Sequence, residues 1–339
     1  MKKRISLIIF IFILLAVIFL TLYKIELKKD TYNTKTFLSM DTSVSVTLWG
    51  EQLNDKLYNK IRNHISNLSS TFDSYNENGE LFKLNKTRHM SCSPEMIDII
   101  SKTLSYQKKY KNVDISSGKL ISLWDFQSEN PRLPSEEKIF DALKSINYEN
   151  IHINDNIINI DSDTKIDLGS SAKGYTCDII KNDLINSNAD CAIVSFGSSA
   201  LLYGQKPDND YFSVALKVPK KKSKASIGKL KTKSCVISSS GGYERYFEID
   251  NKTYSHILDL NTGYPAETDL LSVTVISQNG LLTDFLSTEI YIGGTKNIDS
   301  YLNNKNYSVI AVSDKNKIYI SDRIKNDFKI TDNEYSFAK

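Results

Sequence analysis

The sequence predicts a mixed α/β (α+β) fold behind an N-terminal transmembrane helix, and three patterns carry that reading. In residues 52–72, Leu53, Leu57, Ile61, Ile65, Leu68 and Phe72 keep three- and four-residue spacing, the period of an amphipathic helix. Elsewhere apolar residues alternate with polar ones, as Val44, Val46 and Leu48 do in SVSVTLWG, or run unbroken as in CAIVSF. These are the marks of half-buried and fully buried strands. From Ile5 to Tyr23 the chain is mainly apolar. At about 1.5 Å per helical residue that run spans a hydrocarbon core of roughly 30 Å.

Taken in order, Lys2, Lys3 and Arg4 precede the apolar run and favour an N-terminus on the cytoplasmic side. The run exceeds an ordinary signal-peptide core, no small-x-small cleavage site follows, and no lipobox cysteine ends it. A cleaved signal peptide is the alternative. Residues 1–24 are therefore read as a membrane anchor, 25–35 as a polar stalk and 36–339 as one domain outside the cytoplasm. Within it, helices are expected near 94–109, 135–146, 170–186, 280–291 and 295–304. Strands are expected at 151–153, 157–160 and 164–168, across 211–277 and in a closing hairpin. No internal repeat or linker divides the domain.

The formal net charge of +3 over 339 residues gives no reason to expect a nucleic-acid partner. Cys92, Cys177, Cys191 and Cys235 form no CxxC or Cys/His cluster, so neither a structural zinc site nor a disulfide framework is expected. Eight lysines between Lys217 and Lys233 read as a solvated hairpin. Attraction to an anionic membrane is the alternative.

Several segments carry polar groups that folding alone does not require. DLGSSAKGYTCD ends a strand in Asp167, turns through small residues and opens a helix with Lys173 in its first turn. A cation there is wrong for the helix dipole but suits a bound phosphate or carboxylate; a surface lysine is the plain alternative. In TDFLSTEI, Asp284 and Thr288 lie four apart on one helix face, two oxygen ligands for a hard cation such as magnesium. An exposed Asp with a back-bonded Thr is the plain alternative. ISSSGGYERYFEID places a glycine-rich turn before a strand, where main-chain amides become accessible. VDISSGKLISLWDF sets Asp114 and two serines before an apolar helix, in capping positions. HILDLNTGYP crowds His256, Asp259 and Tyr264 around a turn that needs none of them.

Together and in this order, FLSMDTSVSVTLWG, FDSYNENGELFKLN, VDISSGKLISLW, IDLGSSAKGYTCD, SSSGGYERYF, YSHILDLNTGYP and SVTVISQNGLLTDFLSTEIYIGG resemble the ApbE-like FAD:protein FMN transferases, across about residues 37–294. The resemblance implies that family's fold, with mixed, largely antiparallel sheets and flanking helices. It implies magnesium-dependent transfer of FMN from FAD, the substrate, to a Thr or Ser hydroxyl of an exported or membrane flavoprotein, with release of AMP. In family terms Asp284 and Thr288 are side-chain ligands of the magnesium, and Ser170 supplies a main-chain carbonyl. His256 matches the active-site histidine. Met40, Tyr75, Asp114, Ile115, Ser116, Asp167, Lys173 and Ile257 fall at positions that contact FAD. His256, Asp284 and Lys173 are the expected catalytic residues. The proton acceptor stays open between His256, Asp259 and a metal-bound group. Two departures stand out: Ser198 and Ser199 replace a Gly-Asp pair, and Asp259-Leu260-Asn261-Thr262-Gly263 lacks the family's proline and arginine. FAD hydrolysis to FMN and AMP, or flavin binding without turnover, are the competing readings.

Overall fold

The computed structural model describes residues 14, 15, 17 and 18 and, between Tyr32 and Ala338, all but 51–54, 127, 129–130, 162, 208–210, 221–222 and 224. Most of the expected anchor, most of the stalk and most of the tip of the lysine-rich hairpin lie outside the described residues. Among the described residues, no helix is long and apolar enough to cross a membrane.

A nine-stranded sheet forms the centre. Its spatial order is Tyr32–Ser39, Thr42–Trp49, Cys191–Ser195, Ser199–Gly204, Cys235–Ser240, Leu270–Ser277, Tyr307–Ser313, Lys317–Ile320 and Ser336–Phe337. Every adjacent pair is antiparallel except the last. Alternation along the strands sends side chains to opposite faces. Val44, Val46, Ala192, Val194 and Val236 meet the helices Asp55–Phe72 and Ala172–Asn186. Val273 and Val275 meet the Gly280–Gly293 helix. On the other face Trp49, Cys191, Cys235, Ile237 and Ile276 pack against Phe212, Leu216, Ile227, Leu230 and Phe328 of a three-stranded sheet. The sheet is therefore covered on both faces. All four cysteines are free and buried within these cores or the next.

Two further clusters complete the core. Leu81, Leu84, Met96, Ile99 and Ile158 join the helices Glu80–Thr87 and Pro94–Gln107 to a small sheet of His89–Ser91, Ile157–Ile160 and Ile151–Asn154. Trp124 stacks among Phe126, Phe247 and Tyr254 beside the helix Glu136–Lys144.

The structure moves three expected boundaries. A strand begins at Tyr32, inside the segment read as stalk: Tyr32 pairs with Trp49 and its polar residues suit an exposed sheet edge. Residues 164–168 form no strand. They meet the Ser117 region through one isolated bridge and two main-chain hydrogen bonds, Gly118 N–H to Lys165 and Asp167 N–H to Ile115. The helix expected at 295–304 is two short turns, Thr295–Asn297 and Asp299–Leu302.

The two central helices touch closely. A Cβ on Gly174 would collide with the main-chain oxygen of Gly280, and one on Gly280 with that of Gly174. Asp178 binds the pair together: its carboxylate accepts from the N–H of Gly280 (2.7 Å) and of Leu281 (3.0 Å), while Asn279 caps Leu282 N–H at 2.9 Å. This contact brings the first turn of one helix against the middle of the other.

Candidate active site

A cleft of about 500 Å³ opens where those helices meet the ends of the central strands. Met40, Tyr75, Asp114, Asp167, Ser170, Lys173, His256, Ile257, Asp284 and Thr288 all line it. Ile115 and Ser116 do not. Ile115 lies in the helical core. Ser116 is buried, with both its N–H and its Oγ–H donating to Asp114 Oδ1 (2.8 and 2.6 Å). Ser116 thus orients Asp114, and Ser117 is the serine that reaches the cleft.

Asp284 is only 5% exposed. Its Oδ2 accepts from Gly174 N–H at 2.9 Å and its Oδ1 from Ser199 Oγ at 3.3 Å. Among the described residues no Lys, Arg or His side chain pairs with it. A buried carboxylate without a counter-charge is costly, so this one suits a cation. Thr288 lies one turn on, with its hydroxyl 3.1 Å from Ser240 Oγ. Among the described residues no three His, Cys, Asp or Glu side chains gather around a metal position. A cation here would draw on Asp284, Thr288, the Ser170 carbonyl and oxygens of a ligand. That hard, weakly charged oxygen set fits magnesium.

The Ala172–Asn186 helix starts without a side-chain cap and without an acidic residue in its first turn. Lys173, partly buried, adds its ammonium to the dipole there. Helix start and lysine together make one positive end, open to an anion.

His256 enters on the loop after the strand Lys252–Ser255. Its Nδ1 lies 3.0 Å from the Arg245 carbonyl oxygen. A carbonyl only accepts, so Nδ1 carries the proton and Nε2 keeps its lone pair. Burial holds the imidazole down, at about 4; the Lys173 and Arg245 cations add to this, and the Arg245 hydrogen bond opposes it. The ring is neutral at pH 7. Asp259 serves the turn itself: its Oδ1 accepts from Asn261 N–H and Asn261 Nδ2, both at 2.9 Å, and it does not line the cleft. Trp124 Nε1–H ties Gly263 O to the aromatic cluster at 2.8 Å. The turn that carries His256 is thus anchored from below.

The remaining walls come from loops. Met40 and Asp41 join two strands in a two-residue turn, both with positive φ (52° and 55°). Such a conformation costs a non-glycine residue energy, and strain of this kind gathers at ligand sites. Arg245 straps this turn to the glycine-rich one, with Nη2 3.2 Å from the Asp41 carbonyl and Nη1 3.7 Å from its carboxylate. Tyr75 stands exposed at the rim. Burial pushes the Asp167 carboxyl up, against the Gly169 N–H and Lys165. Ser198, Ser239 and Ser240 also reach the cleft, and Ser199 reaches Asp284. The sequence marks Ser198 and Ser199 only as departures from the family pattern and Ser239 and Ser240 only as part of a glycine-rich turn, without these partners.

The model of the ApbE family matches residues 40–312. The chain belongs to the ApbE family. Its similarity extends to curated relatives named FAD:protein FMN transferase. That of Escherichia coli (strain K12) is 26% identical over 288 residues, covering 80% of this chain and 81% of the relative. That of Buchnera aphidicola subsp. Schizaphis graminum is 26% identical over 321 residues, covering 91% and 93%. Among solved structures, the ApbE protein of Thermotoga maritima superposes with a TM-score of 0.81 at 27% identity, covering 88% of this chain and 99% of that one. The flavin transferase ApbE of Vibrio cholerae shares the fold, with a TM-score of 0.77 at 20% identity over 87% and 99%. The cleft lies wholly within the matched ApbE segment.

Proposed function

We propose that this ApbE-family protein is an FAD:protein FMN transferase, moving FMN from FAD to a threonine or serine hydroxyl of a partner protein and releasing AMP. One observation carries the proposal. A single cleft holds a positive helix start with Lys173, an unpaired buried carboxylate at Asp284 and a neutral imidazole at His256. The names of the curated relatives agree with that chemistry.

In the reaction the acceptor oxygen bonds to the FMN phosphorus, the bond from that phosphorus to the AMP oxygen breaks, and the hydroxyl proton leaves. Positioning and charge stabilisation dominate such transfers. Lys173 and the helix start bind non-bridging oxygens of the pyrophosphate. Asp284, steered by Gly174 N–H and Ser199, and Thr288, steered by Ser240, would hold magnesium with the Ser170 carbonyl. Magnesium, when bound, supplies charge neutralisation on the pyrophosphate and the AMP leaving group. His256 Nε2 takes the acceptor proton, since Nδ1 is committed to Arg245. Ile257 and Met40 offer apolar surface to the flavin.

The apolar run at residues 5–23 anchors the protein, with the catalytic domain outside the cytoplasm and an exported or membrane flavoprotein as acceptor. The test incubates the full chain in detergent with FAD, magnesium and an exported acceptor carrying an exposed Thr or Ser. A gain of one FMN in acceptor mass is expected. AMP without acceptor labelling would make the protein an FAD pyrophosphatase. Intact bound FAD without AMP would make it a binding protein.

A further inference from the structure

Glu289 follows Thr288 on the Gly280–Gly293 helix but does not line the cleft. It is 2% exposed. Its Oε2 accepts from the main-chain N–H of Asn112 (2.8 Å) and Val113 (3.1 Å), and its Oε1 from that of Lys111 (3.3 Å). The Tyr301 hydroxyl reaches Oε1 at 3.4 Å, and Asn112 Nδ2 donates to the Glu289 carbonyl at 3.1 Å. No Lys, Arg or His pairs with this carboxylate among the described residues.

Three successive amides turned onto one carboxylate form a concave anion seat, filled here from within the molecule. Burying an uncompensated charge is a poor way to gain stability, since an apolar side chain of equal volume often does as well. The arrangement fixes position instead. The clamped segment supplies Asn112, Val113 and Asp114 to the cleft wall. The same helix presents Thr288, the residue just before Glu289, and Asp284, a little over one turn earlier, to the cleft.

We infer that Glu289 is a positioning residue, locking the 111–114 wall of the FAD cleft in register with the helix that carries Asp284 and Thr288. This rests on the transferase reading of the cleft. A glutamine in its place keeps shape but has one acceptor oxygen and turns an NH2 group toward amide donors. A loosened wall weakens FAD capture, while Asp284, Thr288 and Lys173 stay on helices held by Asp178 and Asn279.

In Glu289→Gln, the KM for FAD and its Kd by flavin fluorescence should rise about tenfold, the scale of one charge-assisted hydrogen bond. The kcat should stay within threefold. Amide hydrogen exchange should quicken at 111–113 and remain slow in the central strands, and Glu289→Asp, which keeps the charge, should recover part of the affinity. Unchanged KM and Kd would overturn the inference, as would faster exchange spread over the whole domain. If the glutamine variant fails to fold, Tyr301→Phe removes one donor outside the cleft and should raise KM about twofold; no rise overturns the idea. Binding and exchange are read without acceptor, so either result leaves the transfer assay to judge the transferase reading separately.

Discussion

At the scale of single residues, the protonation of His256 decides the pH behaviour. With its imidazole held at about 4 against an ordinary 6.5, Nε2 stays free through the weakly acidic range. The acid limb of kcat/KM for transfer should lie near pH 4, and a limb at 6.5 in the pH–rate profile would remove His256 as proton acceptor. Linkage gives a matching stability effect. The unfolded chain takes this proton near 6.5 and the folded chain near 4, so stability present above 6.5 is lost as pH falls across that window. His256→Gln should flatten this loss in urea titrations at pH 5 and pH 8. Asp284→Ala should reduce transfer about 10²–10³-fold while FAD still binds, measured by acceptor mass and by flavin fluorescence. That Asp284, Thr288, Lys173 and His256 share one cleft was legible from the order of motifs that resembles the ApbE family, while the local spacing of each left a plain structural reading open. Ser199, Ser240 and Glu289 were not, because their partners arrive from distant segments. Of the DIS stretch only Asp114 lines the cleft, while Ile115 and Ser116 support it from behind.

At the scale of elements, the site depends on how closely two helices approach. Gly174→Ala sets a methyl group against the Gly280 backbone, which cannot yield as a side chain would. Overpacking of this kind should cost about 1–3 kcal/mol, read as a lower urea midpoint, and should weaken FAD binding by displacing the helix start. Trp124→Phe keeps an aromatic ring in the cluster but leaves the Gly263 carbonyl without its donor. A loss of about 1 kcal/mol with a raised KM for FAD is expected, checked by denaturation and initial rates. The long helices were legible from apolar spacing, as were Thr42–Trp49 and Cys191–Ser195 from their strand patterns. The edge strand Tyr32–Ser39 escaped because an exposed edge needs no apolar face. Residues 164–168 misled because Ile166 and Leu168 alternate like a strand yet pair only briefly.

At the scale of the whole molecule, the sequence carried the fold class but not the order of the sheet. Thr42–Trp49 pairs with Cys191–Ser195, and nothing local marks two segments so far apart as neighbours. The anchor belongs to this scale as well. The full chain should stay with membranes through a high-salt or carbonate wash, while protease added to the outer face cuts the domain away; release by salt alone would end the anchored reading. The four enclosed thiols have a practical consequence of their own. Burial pushes Cys92 up to about 12 and Cys235 to about 11, so neither yields a thiolate at neutral pH while the domain is closed. They are spread through three separate cores. Exposed to an alkylating reagent, each core reports its own opening, and the order in which the thiols are modified gives a map of which part of the molecule breathes first.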